Sequence, residues 1–383
     1  MQTTIAPPKI RGFDHLHLYV GNALQAAVYY TTRFGYVPVA YRGLETGSRQ
    51  VTTHVLRQGR ILLALTSALE PNETEVTSFV ARHGDGVRDV AFEVDDARAA
   101  YESAVARGAE PAHPPETLQD EQGAVVVASV SAGYGDLVHS FVQRSGWRGA
   151  HFLPGYAPPP EDLRLESAFT AEAQPDCGLS HIDHCVSNQP EHGMEPVVQW
   201  YTSALGFHRF WSVDDTQIHT EYSSLRSVVV TDADERVKMP VNEPAPGRGK
   251  SQIQEYVDYF GGPGIQHVAL YTGDIIRSVS ALRARGVSFI TVPDTYYEDL
   301  QQRMRQVGCT IREDLQAVRQ LGILVDMDEQ GGYLLQIFTR PVGVRPTLFY
   351  EIIQRHQNSG FGVGNFKALF EAIERDQKRR GNL

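Results

Sequence analysis

Two patterns of hydrophobic and polar positions each occur twice along the chain, once in each half. In the first, an alternating segment precedes a helical stretch: FDHLHLYV from Phe13 leads to a stretch ending in RFG, and IDHCVSN from Ile182 leads to QWYTSALGF. In the second, VRDVAFEV and IQHVALYT are each followed by a helical segment. Alternation with period two indicates strands, and self-similarity over this distance indicates a structural repeat. The two halves are therefore predicted to share one architecture.

The helix that follows the second pattern has matching ends in both halves. It lies between Asp96 and Gly108 in the first half and between Asp274 and Gly286 in the second, so the spacing from Asp to Gly is the same. Aspartate is a favourable N-cap, and glycine suits the left-handed residue that often ends a helix. Both helices are therefore expected to have well-formed ends.

Further alternating runs follow each helix and are typical of strands, for example RILLALTSAL and AVVVASVS in the first half and SLRSVVVTD and GGYLLQIFT in the second. The repeating module is then βαβββ, and it occurs twice in each half. Four such modules predict an α+β fold with two domains, each an open barrel built from two modules. We place the domains at residues 1–154 and 179–383, joined by a proline-rich, acidic linker at 155–178.

Two helical segments of the second half have no counterpart in the first. One is an insertion from about Tyr296 to Leu321, and the other is a C-terminal helix that begins near Asn365. This last helix follows the strand FYEIIQR and presents Phe366 and Leu369 near its start, so it is a candidate lid. A helix that only packs against the barrel and closes it would have the same pattern.

Composition and charge narrow the class of protein. The chain has 383 residues, of which 42% are hydrophobic and 21% charged, with a net charge of −11 and no apolar run of membrane-spanning length. Neither a membrane role nor nucleic-acid binding is expected, because the first needs such a run and the second needs clustered Lys and Arg. Three cysteines without paired spacing, and a start without a secretory signal, favour the cytoplasm.

Alignment of the repeats selects a few of the fourteen histidines as possible metal ligands. His184 and His267 begin equivalent strands, and strand alternation allows both imidazoles to point into one barrel. Glu351 lies in the hydrophobic strand FYEIIQR, where an unpaired carboxylate would be costly to bury. Two histidines and one carboxylate, with coordination positions left open, form the facial triad of non-haem Fe(II) oxygenases, although the same donors can hold Zn or Mn.

Each of these residues also has a simpler explanation, because either histidine could be a satisfied core residue and Glu351 could pair with an arginine. The first half offers an internal comparison, since the corresponding positions are His15, Asp89 and Ser140. Asp89 could still bind a metal that prefers oxygen, but Ser140 removes the anchoring carboxylate. We therefore predict one metal per chain, in the second half, and a first half that serves as a scaffold or a dimerisation domain.

Several motifs resemble one known family. The segments IDHCV, GIQHVAL, YLLQIFT, FYEIIQRH and GFGVGNFKALF, with YRGLETGSRQ and ARHGDGVRDVAFEV in the first half, resemble the 4-hydroxyphenylpyruvate dioxygenases of the vicinal oxygen chelate superfamily. The likeness runs from about Phe13 to Leu383. It implies one Fe(II) per chain and the conversion of an aromatic 2-oxo acid, 4-hydroxyphenylpyruvate, with O2 to homogentisate and CO2 in tyrosine catabolism. It also implies a homodimer or homotetramer.

The resemblance also implies a set of site residues. The iron ligands would be His184, His267 and Glu351. Polar contacts to the substrate would come from Ser227, Asn242, Gln252 and Gln336. The aromatic walls of the pocket would be Phe338, Phe349, Phe361 and Phe366. Supporting or lid positions would be Gln266, Asn365 and Leu369. Because side chains alternate along a strand, Gln266 is expected to point away from the face that His267 occupies. Ordinary core packing or cross-strand hydrogen bonding could account for each pocket residue alone.

Three other functions remain open. 4-Hydroxymandelate synthase shares the substrate and the triad but hydroxylates the benzylic carbon; the bulky Phe338, and Pro240 with Asn242, favour the dioxygenase instead. Extradiol catechol dioxygenases and glyoxalases share the barrel, but they do not account for Gln336 or for the NEP motif. A non-enzymatic ligand-binding member of the superfamily would need the pocket without the metal triad.

Overall fold

Two eight-stranded sheets form the framework of the protein, one in each half, in the computed structural model, which describes residues 6–213 and 224–382. The strands of the first sheet are β1 (Ile10–Tyr19), β2 (Val37–Arg42), β3 (Val51–Gln58), β4 (Ile61–Ala68), β5 (Gly86–Val94), β6 (Pro111–Asp120), β7 (Gly123–Ser131) and β8 (Val138–Trp147). Those of the second are β9 (Leu179–Asn188), β10 (His208–Val213), β11 (Ser224–Thr231), β12 (Lys238–Ala245), β13 (Gly264–Thr272), β14 (Leu324–Met327), β15 (Tyr333–Phe338) and β16 (Phe349–His356).

Strand order is the same in both sheets. The first runs β2-β3-β4-β1-β5-β8-β7-β6 and the second β10-β11-β12-β9-β13-β16-β15-β14. In each sheet the two modules meet at a central antiparallel pair, β1 with β5 and β9 with β13, while the first and last strands of each module pair in parallel. The predicted α+β fold of four βαβββ modules in two curled sheets is confirmed.

Three helices accompany the first sheet: α1 (Ala23–Phe34), α2 (Glu75–His83) and α3 (Ala97–Ala106). The ends of α3 agree with the expectation from sequence, because the Asp96 side chain accepts a hydrogen bond from the Ala99 amide and Gly108 has a φ of 103°. Helix α2 was not predicted, because the strand patterns on either side of it did not indicate a helix. A fourth helix, α4 (Glu161–Ala173), lies inside the segment predicted as a linker and packs against α1. Its first turn carries two acidic residues, which the positive end of the helix dipole stabilises.

The second half carries α5 (Met194–Ala204), α6 (Gln252–Phe260) and α7 (Ile275–Ala284) at the positions of α1, α2 and α3. As in α3, the side chain of the N-cap Asp274 accepts from a backbone amide, that of Arg277, and Gly286 has a φ of 82°. The insertion is helical, as predicted, and consists of α8 (Thr295–Val307) and α9 (Leu315–Leu321). The C-terminal helix α10 (Val363–Arg380) starts two residues before the predicted position. No helix among the described residues is long and apolar enough to cross a membrane.

The two halves pack against each other through equivalent residues. The Tyr30 hydroxyl of α1 lies 2.9 Å from the Tyr350 hydroxyl of β16, and the Tyr201 hydroxyl of α5 lies 2.8 Å from Nε2 of His139 in β8. All four side chains are buried. Each half therefore sends a helical tyrosine to the last strand of the other, and in the second half that strand carries Glu351.

Candidate active site

His184, His267 and Glu351 come together on three neighbouring strands, β9, β13 and β16. Oε2 of Glu351 lies 3.2 Å from Nε2 of His184 and 3.5 Å from Nε2 of His267. The three donor atoms lie within 4.8 Å of one another. Within residues 6–213 and 224–382 this is the only cluster of three or more His, Cys, Asp or Glu side chains with donor atoms close enough to hold one metal ion.

Hydrogen bonds to the other ring nitrogen set each imidazole for metal binding. Nδ1 of His184 lies 2.6 Å from Oδ1 of Asp183, and Nδ1 of His267 lies 3.0 Å from Oε1 of Gln266. Because a carboxylate and an amide oxygen only accept, each Nδ1 carries the proton and each Nε2 presents its lone pair towards Glu351. Two neutral imidazole donors and one carboxylate fit a divalent cation.

Charge at the site is carried mainly by Glu351. Burial alone would raise the pKa of this carboxyl, but the two imidazoles outweigh burial and hold the pKa below its usual value. Burial likewise opposes protonation of His184, yet the charges of Glu351 and Asp183 raise its pKa, whereas burial lowers the pKa of His267. The site therefore holds a buried carboxylate beside two imidazoles, and a bound cation would compensate the charge of that carboxylate.

Gln266 does not obey strand alternation. It lines the same cavity as His267, although the two are adjacent in β13. The pairing of β13 with β9 has a register shift between Ile265, opposite Ser187, and His267, opposite Val186, so Gln266 is an extra residue. Such a bulge turns two successive side chains towards one side. The expectation that Gln266 points away was wrong for this reason.

The corresponding residues of the first half satisfy one another without a metal. The Ser140 hydroxyl and amide both donate to Asp89, the amide over 3.0 Å to Oδ1. His15 keeps the bond between its Nδ1 and Asp14, at 2.6 Å. With serine in place of the carboxylate, two of the three positions are hydrogen-bonded to each other, and these positions form no metal-binding cluster among the described residues.

A cavity opens beside the triad. Its polar wall includes Ser227 and Asn242, which face each other across β11 and β12, and Gln252 at the start of α6. The rings of Phe349 and His267 stack with centroids 4.9 Å apart, and Phe361 meets His184 edge-on at 5.1 Å. The predicted residues that line the cavity are Ser227, Asn242, Gln252, Gln266, Phe338, Phe349, Phe361, Phe366 and Leu369.

Two predicted residues lie outside the cavity wall. Gln336 is fully buried, and both atoms of its amide lack a hydrogen-bond partner. It lies beneath Gly362, where any added side chain would collide with this amide. Asn365 is also buried, and its Oδ1 accepts a hydrogen bond of 2.7 Å from the Tyr296 hydroxyl of α8. Neither amide therefore lines the cavity.

Sequence reasoning missed several apolar residues of the wall. Four of them had a signal, because Val186 shares a strand face with His184, Leu225 and Val229 share one with Ser227, and Phe370 lies one turn after Phe366. Trp211 had none. It reaches the cavity from the edge strand β10, and its ring centroid lies 5.8 Å from that of Phe361.

Two family models match the chain. Residues 6–152 match the model described as "Hydroxyphenylpyruvate dioxygenase, HPPD, N-terminal", and residues 181–335 match that of the "Glyoxalase/Bleomycin resistance protein/Dioxygenase superfamily". The 4-hydroxyphenylpyruvate dioxygenase of Dictyostelium discoideum is 53% identical over 98% of this chain and 100% of its own length. The chain belongs to the 4-hydroxyphenylpyruvate dioxygenase family. As a member of this family it is a dioxygenase.

Other members of the 4-hydroxyphenylpyruvate dioxygenase family are similarly close. The enzyme of Danio rerio is 52% identical over 98% of this chain and 93% of its own.

Among solved structures, a variant of 4-hydroxymandelate synthase from Streptomyces coelicolor with three substitutions is 32% identical and has a TM-score of 0.81, covering 97% of this chain and 100% of its own. A fusion of a xylose isomerase-like TIM barrel with 4-hydroxyphenylpyruvate dioxygenase shares the fold at 22% identity and a TM-score of 0.70, over 97% of this chain and 54% of its own.

Proposed function

We propose that the chain converts 4-hydroxyphenylpyruvate and O2 to homogentisate and CO2, with one Fe(II) held by His184, His267 and Glu351. The observation that carries this proposal is the two-histidine, one-carboxylate cluster beside an aromatic cavity, in a chain of this family. Bound by these three residues, Fe(II) would supply open coordination positions for a 2-oxo acid and O2, and the redox chemistry that joins them.

The cavity wall orients the substrate in this proposal. Phe338 and Phe349, whose ring centroids lie 6.3 Å apart, contact the His267 ring and offer apolar surface to the aromatic ring of the substrate. Ser227, Asn242 and Gln252 offer hydrogen bonds to its phenol. Holding the ring and its side chain in one pose lowers the barrier to reaction, because the reacting atoms no longer have to find each other by diffusion.

Helix α10 would act as the lid over this pocket. Phe366, Leu369 and Phe370 reach the cavity from its first turns. Closing the helix over bound substrate would keep water away from the oxidising site and so prevent side reactions.

We further propose domain boundaries at residues 1–154 and 179–383, of which residues 1–5, 214–223 and 383 lie outside the described residues. The boundaries are supported by the sheets, because the first ends at Trp147 and the second starts at Leu179. A cytoplasmic location is supported by the three cysteines, which are free thiols. The first half, which lacks the triad, offers a surface for a homodimer or homotetramer.

Anaerobic reconstitution with Fe(II), followed by 4-hydroxyphenylpyruvate and O2, tests the proposal when the aromatic product is identified by chromatography. Homogentisate together with CO2 is the expected result. 4-Hydroxymandelate would instead assign the chain the activity of the synthase, whose variant shares this fold. Folded, iron-loaded protein that consumes neither substrate would overturn the proposal and favour a ligand-binding role.

A further inference from the structure

Arg355, four residues after Glu351 in β16, joins two parts of the active site. Its Nε and Nη2 donate to the two carboxylate oxygens of Asp183, at 2.8 and 2.7 Å. Its Nη1 donates to the carbonyl oxygens of Asn358 and Gly360, at 3.2 and 2.6 Å, in the loop between β16 and α10. One guanidinium therefore holds both a carboxylate of β9 and the backbone that leads into the lid helix.

Each end of this arrangement touches the site directly. The Asp183 carboxylate that Arg355 binds also holds Nδ1 of His184, at 2.6 Å. On the loop side, the guanidinium carbon lies 5.6 Å from the centroid of the Phe361 ring, which meets the His184 ring edge-on. The Arg355 and Asp183 side chains are 16% and 10% exposed, so water competes little with these bonds. A metal ligand and a wall of the pocket thus share one support.

The first half contains a copy of the same arrangement. Nε and Nη2 of Arg144 donate to Asp14 at 2.7 and 2.8 Å, and Asp14 holds Nδ1 of His15. Nη1 of Arg144 donates to the carbonyl oxygen of Phe152, whose ring meets His15 edge-on with centroids 4.8 Å apart. Arg144 lies four residues after Ser140, as Arg355 lies four residues after Glu351. The copy has the clamp without the triad.

We propose that Arg355 is a positioning residue that couples the orientation of His184 to that of Phe361, so that the metal donors and the pocket wall are set together. The inference deepens the proposed function and rests on its metal site. The copy at Arg144 implies that the clamp belongs to the repeat, and that the second half uses it for a further purpose once a metal ligand and a substrate wall lie at its two ends.

The fork of the guanidinium makes this coupling possible. It binds a carboxylate with two parallel bonds while its remaining nitrogen points elsewhere, which a lysine ammonium does not reproduce. Without the fork, the plane of the Asp183 carboxylate is no longer fixed. The orientation of the His184 ring, which that carboxylate holds, is then no longer fixed either. Hydrogen-bonding partners of metal-bound histidines typically contribute about 10- to 100-fold to metal affinity.

The test compares Arg355→Lys with the matched control Arg144→Lys in the full chain. We would measure the Kd for Co(II) by its visible absorption without substrate, hydrogen exchange of residues 357–366, and KM for 4-hydroxyphenylpyruvate. Arg355→Lys is expected to weaken Co(II) binding about 10-fold, to speed exchange of that segment and to raise KM. Arg144→Lys is expected to speed exchange near Phe152 while it leaves the Kd and KM within about twofold of those of the unaltered protein.

The outcomes separate this inference from the proposed function. Unaltered protein that fails to bind Co(II) would remove the metal site itself. Tight Co(II) binding by both variants would overturn the role of Arg355 alone, and so would equal losses in both. If Arg355→Lys does not fold, Asp183→Asn and its counterpart Asp14→Asn allow the same comparison, because the amide keeps the shape and one acceptor oxygen but loses the charge.

Discussion

Single atoms decide what the triad residues can do. Glu351 is a carboxylate almost without exposed surface, and its Oε2 is the common neighbour of two imidazole Nε2 atoms. Ser140, at the equivalent position of the first half, instead donates to Asp89. The strands around these two positions are alike. A comparison of the two halves therefore distinguishes the effect of the donor atoms from that of the barrel.

Replacing Glu351 by glutamine is expected to weaken Co(II) or Fe(II) binding by about 100-fold or more, because the amide keeps the shape but removes the charge that holds the cation. Isothermal titration of the metal-free protein measures the change. Ser140→Ala serves as the control and should bind metal as the unaltered protein does. Unchanged affinity in Glu351→Gln would show that the metal lies elsewhere.

Phe338 is the residue on which the choice of product is expected to depend. Its ring meets that of His267 edge-on with centroids 5.9 Å apart, so a smaller side chain would give the substrate ring more freedom beside the metal donors. In Phe338→Val we expect part of the product to change from homogentisate to 4-hydroxymandelate, as quantified by chromatography. A product ratio equal to that of the unaltered protein would remove this residue from the specificity argument.

Among the helices and strands, the insertion found only in the second half is tied to the candidate lid. The Tyr296 hydroxyl of α8 donates to Oδ1 of Asn365 and accepts from the Val325 amide at 2.8 Å. Arg303, two turns further along the same face of α8, donates to the Gly364 carbonyl oxygen at 3.4 Å. Helix α8 therefore contacts the first turn of α10, the part that also supplies Phe366 to the cavity.

Tyr296→Phe is expected to loosen this turn, because a buried hydrogen bond contributes about 1 kcal/mol and its loss leaves Asn365 unpaired. Hydrogen exchange of residues 363–370 should speed up about fivefold. Tyr297→Phe is the control, since its hydroxyl donates to the Ile323 carbonyl oxygen and makes no hydrogen bond to α10. Equal exchange in all three proteins would exclude a role for Tyr296 in holding the first turn of α10.

At the scale of the whole molecule, the buried contact between His139 and Tyr201 joins the halves. Nδ1 of His139 donates to the Val90 carbonyl oxygen at 2.9 Å, so Nε2 accepts from the Tyr201 hydroxyl. Burial lowers the pKa of His139 to about 4. The folded protein therefore keeps this imidazole neutral under conditions in which the unfolded chain protonates it.

This difference predicts a loss of stability in acid. Below the ordinary histidine pKa of about 6.5, the unfolded state binds a proton at this position that the folded state does not. As the pH is lowered from about 6.5 to about 4, the free energy of unfolding therefore falls, by about 3 kcal/mol from this residue. Chemical denaturation across that range should show a shallower fall in His139→Gln. His113→Gln, at an exposed position, should keep the original slope. An unchanged slope in His139→Gln would show that the contact is not the acid-sensitive one.

What could be predicted from the sequence is what depends on local pattern. Alternation and helical spacing indicated the repeated modules, the Asp and Gly residues marked the ends of α3 and α7, and the insertion was recognised as helical. The comparison of His184, His267 and Glu351 with their first-half counterparts selected the one donor cluster found among the described residues. These inferences succeed because strand and helix periodicity are properties of the backbone itself.

Tertiary structure decided the remaining features of the candidate site, because those features depend on neighbours that are distant in sequence. Pairing with β9 created the bulge that turns Gln266 inward, and the path of the chain placed Gly362 against the Gln336 amide. Arg355 and Asp183 are 172 residues apart, and only the folded barrel shows that they hold one another. The sequence by itself determined which atoms are available for chemistry. Packing determined which of them face the same cavity, because the register and the contacts between strands produce no periodic pattern along the chain.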